Sequence, residues 1–136
     1  MKQWINYGSS ACIHGLTTCE IAFVTSFRMA AMAGKAGQDP AQYVAKRLGS
    51  ETLSKQLSLI VAAISDAWPD RFTLSRPCCQ RMTFDEVTVI GMLRSSGAND
   101  RRAFDEILQD MLSEETRDFL YTLFVRFSVQ TRIASH

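Results

Sequence analysis

Two adjacent thiols between two arginines are the strongest chemical signal in this chain. The stretch reads Arg76-Pro77-Cys78-Cys79-Gln80-Arg81 and runs on into Met82-Thr83-Phe84-Asp85-Glu86. The thiolate is the form of cysteine that attacks electrophiles and binds metals, and a nearby cation or helix N-terminus favours it. Arg76 and Arg81 flank the pair, and a helix beginning near Phe84 would turn its positive end back toward it. Cys78 and Cys79 are therefore candidates for redox or soft-metal chemistry, with Arg76 and Arg81 tuning them. The competing reading is structural. Free cysteine packs as a small hydrophobe, and Arg81 would pair with Asp85 or Glu86 to stitch the junction to the following helix.

A fuller metal site would add Cys12, His14 and Cys19 to Cys78 or Cys79. Sulfur and imidazole suit zinc, which takes four such ligands in a tetrahedron. The Cys-x-His-x4-Cys spacing is not a common finger spacing, and there are no two Cys-x2-Cys halves. No cofactor is expected; zinc or another soft metal is the secondary reading. Neighbouring acids such as Glu114-Glu115 fit the first turn of a helix, where they complement its dipole, better than acid–base work. There is no phosphate loop, dinucleotide glycine motif, nucleophile elbow or His-Glu-x-x-His pair. An enzyme would need a constellation assembled only in three dimensions, so a non-enzymatic role is preferred.

Charge narrows the partners. The 136 residues carry a formal net charge of +1 and a pI near 7.7, so no long-range field steers the chain onto nucleic acid or anionic lipid. A helix-turn-helix over 84–111 can be drawn, but residues 99–118 hold seven acids against three arginines, a net −4 that repels phosphate. Neither nucleic acid nor membrane is an expected partner. Nothing supplies the unbroken apolar run of ~7–15 residues of a signal peptide or the ~20 of a membrane helix. A cytoplasmic location with reduced thiols is the expectation.

The elements that must position these residues are helical. Leu, Ile, Val and Phe make up 34 of the 136 residues, enough for one core at a length typical of one domain. Residues 1–17 lack a period and read as a loose arm; 18–136 read as a single helical domain. Thr17 or Thr18 caps a first helix, with apolar residues at 19, 22, 23, 27 and 30, that ends at Gly34 and Gly37. Asp39-Pro40 opens a short helix over 40–48, closed by Gly49. Ser50 caps the cleanest helix, with Leu53, Leu57, Ile60, Val61, Ile64 and Trp68 on one stripe before Pro69. Thr83-Phe84-Asp85-Glu86 is a capping box whose helix carries Phe84, Val87, Ile90 and Leu93 as its apolar residues and stops near Gly97. Asn99 or Asp100 caps the next, with Phe104, Ile107, Leu108 and Met111 inward, and Ser113 caps the last.

The order of features resembles a family of small all-helical alphaproteobacterial proteins of unknown function. In that family a helical front half is followed by a Pro-Cys-Cys-x-Arg-Met-Thr-x-Asp-Glu junction and further helices. The matching residues are Pro77 to Glu86, with Phe27-Arg28-Met29-Ala30-Ala31 as a second block, and the likeness spans roughly 19–127. It implies an all-helical fold and a bacterial, cytoplasmic setting. It implies no activity, and it does not extend to Cys12, His14 and Cys19 as ligands.

The expected fold is all-α, about six helices in a single compact orthogonal or bundle-like array. The last helix is apolar almost all round: Phe119, Leu120, Leu123, Phe124 and Phe127 are joined by Tyr121 and Val125. Such a helix is either central to the core or shared with a second copy. The five named first are candidate interface residues, and the leading expectation is a non-enzymatic interaction protein that self-associates as a homodimer. The alternative is a thiol-based redox sensor or soft-metal binder centred on Cys78-Cys79.

Overall fold

The structure is a computed structural model that describes residues 12–134. The described residues form six α-helices: α1 (Thr18–Lys35), α2 (Ala41–Leu48), α3 (Glu51–Ala67), α4 (Phe84–Gly97), α5 (Arg101–Leu108) and α6 (Glu114–Ala134). The fold is all-α. Among the described residues the β pairing amounts to one isolated antiparallel bridge, Cys12 with Arg81. No helix among them is long and apolar enough to cross a membrane.

Local chemistry explains where the helices start and stop. Thr17 and Glu20 form a reciprocal capping box on α1: the Glu20 amide donates to Thr17 Oγ1 and the Thr17 amide to Glu20 Oε1. Pro40 caps α2 in place of Asp39. Asp39 still serves that end, its Oδ1 accepting from the Ala41 amide at 2.9 Å. Gly49 ends α2 at φ +77°, a left-handed conformation that costs glycine no Cβ clash. Ser50, Asp100 and Ser113 each offer a side-chain oxygen to the first turns of α3, α5 and α6.

Packing follows the apolar stripes, with α6 lying against α3, α4 and α5, and α1 against α2, α3 and α4. The stripe read from α3 is buried in full, Leu53, Leu57, Ile60, Val61, Ile64 and Trp68 included. An aromatic chain links the layers. Trp68 meets Phe72, Phe72 meets Phe27, Phe27 meets Phe23, and Phe23 lies between Phe124 and Phe127, with ring centroids 5.2–6.1 Å apart. Offset and edge-on rings add about 0.5–1.5 kcal/mol per pair to the area they bury. Phe72 thereby anchors the long connection between α3 and α4 to the core.

The inward face of α4 keeps part of the expected set, with Ile90 buried and Leu93 packed against the core, and departs from it elsewhere. Phe84 is exposed and Val87 only partly buried, while Glu86, Val89, Ile90, Met92 and Ser96 are buried. The face is set by a carboxylate, Glu86, which a hydrophobic pattern does not select. The described part of the 1–17 arm is fastened rather than loose. Ile13 N donates to the Gln80 carbonyl at 2.7 Å, and Ile13–Gly15 form a single 3₁₀ turn leading into α1. Residues 1–11 of that arm lie outside the described residues.

Candidate functional site

Residues 68–83, between α3 and α4, contain no helix. A connection of this length needs either a function or many side-chain bonds to hold it. It has the bonds. Asp85 receives the Trp68 indole N–H at 3.2 Å and the Thr73 amide at 2.8 Å. Thr83 Oγ1 accepts the Glu86 amide and donates to the Thr73 carbonyl at 2.7 Å. Ser75 Oγ donates to the Arg81 carbonyl at 2.8 Å, closing the loop on itself.

At its centre lies Arg28, contributed by α1 and 0% exposed. Its Nε and Nη2 donate to the two oxygens of Glu86 at 2.8 and 2.9 Å, a bidentate fork with both side chains out of solvent. The remaining donors face the loop backbone. Nη1 reaches the carbonyls of Cys79 at 2.8 Å and Arg76 at 3.2 Å, with Pro77 at 3.5 Å, and Nη2 reaches that of Arg81 at 3.0 Å. Glu86 is equally occupied, accepting the Ser75 and Thr83 amides besides Arg28. Burying a charge pair is expensive unless every donor and acceptor is matched. Here they are matched, and the partners that match them are the backbone of the thiol loop.

These bonds run along the loop from Thr73 to Thr83. Arg76-Pro77-Cys78-Cys79 makes a turn closed by Cys79 N to Arg76 O at 2.9 Å, with proline supplying the fixed φ of its second position. Cys78 is exposed and Cys79 half-buried at its tip, and all four cysteines are free thiols. The packing explanation for the pair needs burial, which Cys78 lacks.

The other sequence candidates fall as follows. Glu86 takes Arg28 as its cation, and Asp85 holds the loop through Trp68 and Thr73. Arg76 and Arg81 are exposed, and their carbonyls join the Arg28 network. Cys12 is drawn to the junction by its bridge to Arg81, whereas Cys19 is exposed on the first turn of α1. Among the described residues no group of three or more His, Cys, Asp or Glu side chains comes together to hold a metal ion, so the four-ligand set with Cys12, His14 and Cys19 is not assembled. Of the proposed interface residues, Leu120, Phe124 and Phe127 belong to this chain's own core, Leu123 packs against it, and Phe119 is 58% exposed.

Arg28 was the residue that sequence reasoning did not assign to the site. A signal existed: position 28 shares a helical face with Val24 and Ala31, so a charge stands in a stripe that packs inward. Its partner could not be read, because it lies 58 positions away. In the acidic region, Arg101 bonds Asp105 and Asp118 and lies over the Tyr121 ring, and Arg117 approaches Asp105 at 3.7 Å, so these arginines serve their own surface.

Comparison of the chain with protein-family models, with curated proteins and with solved structures finds no match.

Proposed function

We propose that the protein is a thiol-based sensor whose reacting group is the Cys78-Cys79 pair. One observation carries this reading: an exposed thiol and a half-exposed neighbour stand on a turn whose backbone is held by a fully buried Arg28–Glu86 pair. The loop backbone serves the buried pair, while the Cys78 side chain is left exposed and is not itself a packing group. The same geometry favours capture of a soft cation over closure of a disulfide between the two neighbours. Disulfide closure across one peptide departs from ordinary S–S geometry and requires that peptide to twist. The Cys79 N–H is tied to Arg76 and its C=O to Arg28. Two thiolates bridging one soft ion need no such twist. Each thiol releases its proton to solvent as its sulfur–metal bond forms, and no electrons move.

The bacterial, cytoplasmic setting implied by the family resemblance is part of this reading, since it would keep the thiols reduced. The two blocks of that resemblance meet in the fold, Arg28 of the first binding Glu86 and the carbonyls of Pro77, Cys79 and Arg81 in the second.

The test is a native mass spectrum of the whole chain with and without one equivalent of phenylarsine oxide, a reagent that bridges two thiols, followed by timed alkylation mapped to each cysteine. The expected result is a single bridged adduct that protects Cys78 and Cys79 and is lost in Cys78→Ser and Cys79→Ser. Slow alkylation at both positions with no bridged adduct overturns the proposal.

A second reading, self-association, keeps one specific support. Phe119, Val129 and Ile133 are exposed and lie along one outward line of α6. A homodimer would use this line, not the buried side of the helix.

A further inference from the structure

At the start of α1 the chain forms a second concave site, none of whose lining residues belongs to the thiol loop. A cleft of about 440 Å3 opens where the start of α1, the end of α2, the end of α4 and the last turns of α6 meet. That volume lies in the range of roughly 300–1,000 Å3 typical of small-molecule sites. Its floor is apolar: Leu48, Leu53, Leu93 and Phe127. Its rim holds three arginines from three different helices, Arg47 of α2, Arg94 of α4 and Arg132 of α6.

We infer that this cleft binds a small amphiphilic anion, a carboxylate or phosphate monoester carrying an apolar tail. Charge is the first reason. Among the described residues the lining holds one carboxylate, Glu20, and Arg94 already grips it at 2.7 and 2.9 Å. Three cations less one anion give the described lining a charge of +2, in a chain whose total is +1. Like charges gathered round an apolar floor repel one another unless an anion joins them. Shape is the second reason. A hydrocarbon tail on the leucines and Phe127 would gain by leaving water, and guanidinium groups bond carboxylate or phosphate by charge-assisted pairs. At the start of α1 the capping box already takes the Glu20 amide on Thr17 Oγ1 and the Thr17 amide on Glu20 Oε1, so neither of these groups is called on here.

Cys19 lines the cleft and is exposed, so it reports on occupancy. The experiment titrates the full chain with decanoate below its micelle concentration, by calorimetry and by the alkylation rate at Cys19. Saturable one-to-one binding is expected, with Cys19 slowed and Cys78 unchanged. Decanol, the uncharged analogue, should bind about tenfold or more weaker, and Arg47→Gln with Arg132→Gln should weaken decanoate to a similar degree. Cys19→Trp, which fills the cleft from an exposed position and leaves the arginines in place, should abolish binding. The proposal is overturned by absence of saturable binding, by equal affinity for decanol, or by binding only to phosphatidylglycerol vesicles with no uptake of monomeric decanoate. The wild-type protection of Cys19 keeps the test decisive if a variant fails to fold.

Discussion

Arg28 and Glu86 stand 58 positions apart in the chain and meet in a two-pronged ion pair closed to solvent. The pair joins the first helix to the fourth, and its spare donors and acceptors fix the loop between the third and fourth. One contact thus determines both how two helices are docked and what shape the thiols are presented in.

Arg28→Met should cost about 3–5 kcal/mol, because it leaves Glu86 buried without a cation and several loop carbonyls without donors. Arg28→Lys should recover only part of this, since an ammonium cannot reproduce the planar fork. Urea unfolding measures the loss, and alkylation of the folded variants should show altered rates at Cys78 and Cys79. A stability within about 0.5 kcal/mol of wild type would show that the pair does not organise the loop.

The two sides of α6 should respond differently to the same change. Phe124 is fully buried against Phe23 and Phe104, so Phe124→Asp should unfold the chain instead of yielding a soluble monomer. Phe124→Ala should cost about 3–5 kcal/mol. Phe119→Asp with Ile133→Asp should leave stability within about 1 kcal/mol, since both side chains are exposed. If the protein is a dimer along that line, sedimentation should show the double variant as a folded monomer.

The Glu20–Arg94 pair gives a pH signature. Arg94 hydrogen bonding holds the Glu20 carboxyl below the usual carboxylate range, with Thr17 adding to it and burial opposing it. A folded pKa below the unfolded one means stability that is present above about pH 4.3 and lost as pH falls through the folded value. Glu20→Gln retains the capping box yet loses the charge. It should therefore be less stable than wild type at pH 7, and the difference should shrink steadily in urea midpoints taken below about pH 4. The side chain of Arg94 is 55% exposed, so the effect at pH 7 should be smaller than that of Arg28→Met and should weaken with salt.

Much of the frame could be read from residue types alone, because its signals are local. The capping boxes at Thr17-Glu20 and Thr83-Glu86, the stripe from Leu53 to Trp68 and the glycine stop at 49 each depend on residues within a turn or two of one another. Helix identity follows from such short-range chemistry, and so does the all-α class. The placement of the thiols on an irregular junction was also legible, since Pro69 and Pro77 deny that stretch a helix.

What the tertiary structure alone decided is everything that depends on long-range pairing. Glu86 looked like a capping residue and is also the buried counter-charge of Arg28; Phe124 and Phe127 looked like a shared surface and are core, because α1 and α5 supply the rings that cover them. Whether an apolar face is buried within the chain or by a partner, and which distant arginine a carboxylate selects, are set by packing between helices. Sequence periodicity specifies which side of a helix seeks cover, and only the assembled fold specifies what covers it.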